Sequence, residues 1–210
     1  YFTLGSSNFK NLFEDIKSKK PDAIINTLNG NSNIEFFKKL QEFNITSDTV
    51  PVISLSVDEA SLLEISKHVQ NSAMLGHYAT WGYFNGINDG QNKFTTDAMF
   101  SMYLGIELFK QAVLKSNKIT SAEILKNIKR TSVNISDNIF YVNPINQHVH
   151  RKVFIGKINN QNQFDIVWQS KYIINPQPYP PFKEIAFWEN GIIEIYKSFG
   201  NSWEGKGDTK

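Results

Sequence analysis

Pro21-Asp22-Ala23-Ile24-Ile25-Asn26-Thr27-Leu28-Asn29-Gly30-Asn31-Ser32-Asn33 is the stretch that decides the fold. Pro21-Asp22 ends the helix predicted over residues 8–19, where Phe9, Leu12, Phe13 and Ile16 recur at helical spacing. Ala23 to Leu28 is a short, mostly apolar run without polar alternation, as expected of a strand buried on both faces of a parallel sheet. Asn29-Gly30-Asn31 reads as a turn. Ser32-Asn33-Ile34-Glu35 is a capping-box pattern opening a helix that carries Ile34, Phe37 and Leu40.

The same unit then repeats. Val50-Pro51-Val52-Ile53-Ser54-Leu55 is a second strand, followed at once by the capping pattern Ser56-Val57-Asp58-Glu59 and a helix with Leu62, Leu63 and Ile65. Residues 73–80 supply a third strand, so residues 1–80 alternate helix and strand, the order of an α/β fold with a parallel sheet covered by helices. The Gly- and Asn-rich residues 84–97 are expected to form a crossing or loop. Residues 98–115 form the longest helix, with Met102, Ile106, Phe109 and Val113 on one stripe, and Thr120-Ser121-Ala122-Glu123 opens another. The pattern changes after that. Residues 138–142, 149–158 and 163–168 read as strands joined by turns that favour antiparallel pairing. Proline-rich residues 175–182 are extended, and Trp188, Ile192, Ile195, Tyr196 and Phe199 mark a tail helix, with a loose end from Gly200.

Composition removes several classes of function. The 210 residues carry a net charge of +2 with acids and bases interspersed, so a nucleic-acid or acidic-lipid surface is not expected. Cysteine is absent, which removes disulfides, thiolate zinc sites and a Cys nucleophile. The apolar runs are too short to span a bilayer, and no signal peptide opens the chain. No Gly-x-Ser-x-Gly elbow frames a Ser-His-Asp set, and the Gly-rich residues 200–207 lack phosphate-loop spacing. His148 and His150 share a face of a strand but have no third ligand nearby, so no metal is expected; no cofactor is implied and an enzyme is not expected. Asp58-Glu59 and Glu14-Asp15 read as solvated helix-surface pairs.

In an open parallel sheet ligands bind beyond the carboxyl ends of the strands. Two loops stand there, Asn29-Gly30-Asn31-Ser32 and Ser54-Leu55-Ser56, each leading into a helix start with free backbone N–H groups. Asn and Ser side chains add donors and acceptors, and no charged residue stands at either tip, which suits a neutral polar molecule such as an amide. Each residue has a plainer alternative: Ser32 and Ser56 as helix caps, Asn29-Gly30 as a turn, and Tyr78, Trp81 and Tyr83 as core aromatics.

The strings are also familiar in succession. Residues 21–33, Phe36-Phe37-Lys38, Gly76-His77-Tyr78-Ala79-Thr80-Trp81, Asn146-Gln147-His148, residues 164–170 and Pro176-Gln177-Pro178-Tyr179-Pro180-Pro181 resemble, in order, segments of the urea- and short-chain-amide-binding proteins of ABC transporters. The resemblance implies a type I periplasmic-binding fold, with parallel sheets, helices on both faces, and ligand held in a cleft between two lobes. The chain would then be an incomplete two-lobe fragment lacking the first part of the first lobe. Residues 1–82 would belong to the second lobe, 83–145 would return to the first, 146–182 would hold hinge-proximal strands and the Pro-rich segment, and 183–210 an amphipathic tail. Residues 86–98 are shorter than the family pattern. The ligand contacts it implies are Asn29, Gly30, Asn31, Ser54, Ser56, Tyr78 and Trp81. It implies an extracytoplasmic, non-catalytic protein that takes a small-molecule ligand (urea, a short amide or a small amino acid) and partners an ABC permease. The tail suggests the alternative of a ligand-sensing domain of a membrane signalling protein.

Overall fold

Three short strands run parallel: β1 (Ile24–Asn26), β2 (Val52–Ser54) and β3 (Tyr78–Trp81). The computed structural model describes residue 2 and residues 5–87, 94–135 and 138–203. Asn26 pairs with Ser54, and Ser54 with Ala79, so the three strands finish near one edge. α1 (Lys10–Lys19) precedes β1, α2 (Ser32–Glu42) joins β1 to β2, and α3 (Glu59–Ile65) follows β2. Parallel neighbours need such crossovers, because a tight turn can only reverse the chain. Alternate residues of the strands face these helices: Asn26, Val52, Ser54 and Ala79 are buried, and Phe9, Phe13, Phe36, Phe37, Leu40, Leu62 and Ile65 close over them. Ile25, on the opposite face of β1, is 70% exposed.

The third strand starts later than its sequence suggests. Residues Asn71–Ala73 form a 3-10 turn, and Gly76 turns the chain into β3 with φ of 81°. A Cβ at Gly76 would overlap the Ser47 hydroxyl and stand 2.9 Å from Ser47 Cβ. Gly76→Ala therefore meets both a left-handed backbone and a clash, and it should destabilise by about 2 kcal/mol, lowering Tm by roughly 4–8 °C in a thermal melt.

Two antiparallel strands complete this sheet. β7 (Phe154–Ile158) pairs with β3, and β8 (Phe164–Gln169) with β7, giving the order β1-β2-β3-β7-β8. A second, antiparallel sheet joins β4 (Ser132–Ile135), β5 (Asn138–Val142) and β6 (Val149–His150). The expected single strand over 149–158 is thus divided at residues 151–153, where the chain leaves one sheet for the other. Arg151 fastens this joint: Nη2 donates to Asp97 Oδ1 at 2.6 Å and Nη1 to Ser101 Oγ at 3.0 Å. α4 (Asp97–Leu114) and α5 (Ser121–Ile128) accompany the second sheet. Its core is Tyr83, Phe100, Leu104, Leu108, Phe140 and Val142, with Tyr83 stacked on Phe100 at 4.4 Å.

One expectation changes here. α4 buries Phe100, Leu104, Leu108 and Ala112, whereas Met102, Ile106 and Phe109 are more than half exposed. The helix is apolar on two faces, so periodicity alone could not choose between them. The tail helix, α6 (Ile185–Ser198), forms as expected but buries no residue. Residues 88–93 of the expected loop and 204–210 of the expected loose end lie outside the described residues. No helix among the described residues is long and apolar enough to cross a membrane.

Candidate functional site

The loops beyond β1 and β2 are built from below by a buried amide. Asn26 closes the apolar run of β1 and is 3% exposed. Its Nδ2 donates to Asn33 Oδ1 at 2.8 Å and to Ser54 Oγ at 3.1 Å, and its Oδ1 accepts from the Leu28 N–H at 2.9 Å. Asn33 Nδ2 donates in turn to the Leu28 carbonyl at 2.9 Å. That carbonyl also accepts from the Ser56 hydroxyl, so the β1 and β2 loops are tied at one atom. Both donors of Asn26 are used, and its oxygen has a partner, as a buried amide requires.

Ser54 therefore lies beneath the loops: it is 1% exposed and engaged with Asn26. Ser56 is half-buried; its proton points to Leu28, leaving its oxygen lone pairs as acceptors. Asn29, Gly30 and Asn31 are exposed at the tip, and Gly30 has φ of 60° with open space where a Cβ would stand. An L side chain there would be strained and would also obstruct an approaching molecule.

The capping expectations are corrected. The cap of α3 is Asp58, whose carboxylate accepts from the Ser61 N–H at 2.8 Å, and not Ser56. Helix α2 begins at Ser32 itself, whose hydroxyl accepts from the Gly5 N–H at 3.0 Å. Only Thr120 caps as expected among these three patterns, accepting from the Glu123 N–H at 3.4 Å. Asp58-Glu59 is not a freely solvated pair either, because Glu59 accepts from the Asn85 N–H at 2.7 Å.

The aromatics do not converge on the loops. Tyr78 and Trp81 stand on opposite faces of β3. Trp81 packs against the helix-side core and donates from Nε1 to the Val57 carbonyl at 2.9 Å, so it braces the second loop. Tyr78 lies toward the other end of the strand, paired with Ile53 and 5.7 Å from the Lys157 ammonium. Tyr83 belongs to the second core. His150 stacks on Tyr141 at 4.0 Å and lies 3.2 Å from Asn143 Nδ2, while His148 is exposed. Among the described residues no three His, Asp or Glu side chains group to hold a metal.

Asn26 and Asn33 are the loop-supporting residues that motif reading missed. Their signal is a polar side chain ending an apolar strand, seven residues before a second amide in the first turn of the next helix.

Comparison with known proteins places this architecture. The family model described as a periplasmic binding protein domain matches residues 1–185. The chain belongs to the periplasmic binding protein domain family. Solved structures similar to this domain are ABC-transporter solute-binding proteins. One, from R. palustris in complex with 4-hydroxybenzoate, superposes with a TM-score of 0.67 at 16% identity, over 81% of this chain and 50% of the other. Another, a leucine-, isoleucine-, valine-, threonine- and alanine-binding protein from Brucella ovis, gives 0.70 at 11% identity, over 84% and 50%. At such identities the likeness shows the type I fold, and the domain spans about half the length of these proteins. A curated relative, limonene hydroxylase from Geobacillus stearothermophilus, is 29% identical over 118 residues, which are 49% of this chain and 21% of that protein. The family model describes a binding-protein domain, and these solved structures are themselves described as solute- or amino-acid-binding proteins.

Proposed function

We propose that this periplasmic binding protein domain binds a small neutral polar solute, urea or a short-chain amide, without transforming it, as the extracytoplasmic capture step of uptake through an ABC permease. The observation that carries this reading is the pair of tied strand-end loops. Asn29 and Asn31 offer amide donors and acceptors, Gly30 admits close backbone approach, and Ser56 offers an oxygen, with no charged side chain at the tips. A carboxylate or an ammonium ligand would call for an opposite charge there; urea needs donors and acceptors together. Ser54 supports the loops through Asn26 and Trp81 braces the second loop, whereas Tyr78, toward the other end of β3, stands apart from them.

Thermal melting of the protein as its gene encodes it tests the reading. Urea or acetamide at about a hundred times its dissociation constant should stabilise by roughly 2.7 kcal/mol, raising Tm by several degrees. The shift should disappear with Asn29→Ala and shrink with Ser56→Ala. A shift with leucine or benzoate and none with the amides would remove the ligand class.

A second reading, a sensor domain on the same fold, is favoured by α6. That helix begins where the family match stops, and its Ile185, Ile192, Ile195 and Phe199 are exposed. A membrane helix and signalling domain encoded after Lys210 would decide for sensing over uptake.

A further inference from the structure

The tip of the first strand-end loop carries a chemically reactive pair. Asn-Gly occurs three times in the chain, at Asn29-Gly30, Asn85-Gly86 and Asn190-Gly191. In such a pair the glycine amide nitrogen can attack the side-chain carbonyl carbon of the asparagine, because no Cβ shields the nitrogen and the backbone turns freely. The attack needs both groups unrestrained, and the three pairs differ in this. Asn190-Gly191 lies inside α6, where the glycine N–H belongs to the helical hydrogen-bond ladder. Asn85 opens a 3-10 turn; its N–H donates to Glu59, and its Oδ1 accepts from the Thr95 N–H at 3.1 Å, which tethers the side chain.

Asn29-Gly30 is under neither restraint. Both residues are exposed. The Gly30 N–H has no hydrogen-bond partner among the described residues, and the Asn29 amide makes only a long contact there, 3.5 Å from Nδ2 to the Thr27 carbonyl. Gly30 has nothing within 4 Å of where a Cβ would stand, so a ring formed at the tip meets no neighbour. The loop is held from below, where Asn26 and Asn33 fasten Leu28, and its freedom is confined to the tip.

We propose that Asn29 is a site of spontaneous deamidation, which turns the neutral tip of the loop into a charged one and ends its capacity for a neutral amide. A base takes the Gly30 amide proton, and the nitrogen bonds to Asn29 Cγ. The Cγ–Nδ2 bond breaks, and Nδ2 leaves as ammonia with a proton from solvent. Water then opens the succinimide ring at one of its two carbonyls. Opening at Cγ leaves aspartate; opening at the backbone carbonyl leaves isoaspartate, with the chain running through Cβ and Cγ. Either product exchanges an amide, donor and acceptor together, for a carboxylate that only accepts. It also sets a negative charge where no charged side chain stands. The loss of amide capture rests on the solute proposed for these loops; the modification does not.

Ageing the protein as its gene encodes it at pH 8 and at pH 6, followed by peptide mapping with mass spectrometry, tests the modification. Aspartate and isoaspartate should accumulate at Asn29 about tenfold faster than at Asn85 or Asn190, and a guanidinium-unfolded sample should lose that selectivity. The rate should be higher at pH 8, because the attacking amide must lose its proton. Gly30→Ala should slow the reaction about tenfold or more by placing a Cβ beside the nitrogen, whereas a variant that merely unfolded would not be slowed selectively at this pair. An intact Asn29, equal rates at the three pairs in the folded protein, or no slowing in Gly30→Ala would each overturn the proposal. The modified chains, separated by ion exchange, should show no acetamide-dependent rise in Tm where fresh protein shows one. An equal rise in both would overturn the change of capacity. No rise in fresh protein would remove the proposed solute instead, with the peptide map still deciding the modification.

Discussion

Asn26→Leu should lower the stability of the domain by about 3 kcal/mol or more, with a Tm lower by roughly 6–12 °C. The substitution is close in volume, so it separates the loss of polar contacts from the making of a cavity. The Leu28 N–H, Asn33 Oδ1 and Ser54 Oγ would each lose a partner in a site closed to water. Their desolvation penalties remain while the bonds do not, which is why removing one member of a buried network costs more than the network's net contribution. The effect should reach the candidate site as well. Leu28 presents the carbonyl on which Asn33 and Ser56 meet, and freeing its N–H loosens the loop that carries Asn29 and Gly30. Asn29→Ala, changing an exposed tip residue, should move stability by no more than about 0.5 kcal/mol. Equal melting of Asn26→Leu and Asn29→Ala would show that the buried amide is not what holds the loops.

The alternation that placed β1, α2, β2 and α3 was legible because parallel strands and amphipathic helices leave different periods in a chain. The candidate tips were legible for a topological reason: ligand loops in such sheets follow the strands. What was not legible is which polar residue does what. Ser56 and Asp58 are both good caps two positions apart, and the choice falls to Asp58 because Ser56 is drawn across to Leu28, 28 residues away in the chain. That bond depends on the pairing of β1 with β2. The division of residues 149–158 between two sheets is equally a tertiary outcome, since each half is a sound strand and only the Arg151 joint separates them. β4 went unread because Ser132–Ile135 has too few residues to show a period.

His77 should make the domain lose stability in mild acid. The side chain is fully buried beside Phe37, its Nδ1 accepts the Val52 N–H at 3.0 Å, and its Nε2 has no partner among the described residues. Burial disfavours the imidazolium and lowers the pKa to about 4, from 6.5 in the unfolded chain. Between these values the unfolded state binds the extra proton, so stability rises with pH. The contribution is fully present above pH ~6.5 and is lost as pH falls toward about 4, at about 1.4 kcal/mol per pH unit and on the order of 3 kcal/mol in all. Protonation would also turn Nδ1 into a donor facing the Val52 N–H, undoing the contact that ties the start of β3 to β2. Glu59 works in the opposite sense, because its raised carboxyl pKa favours the folded state at low pH and that gain fades as pH rises. The informative quantity is therefore the difference between wild type and His77→Asn, which keeps an acceptor near Nδ1 and does not titrate. Thermal unfolding of both at pH 7.5, 6.5, 5.5 and 4.5 should show the wild type falling steadily relative to the variant. Parallel curves across that range would mean that His77 takes up its proton in the folded core without penalty, and the account of its burial would fail.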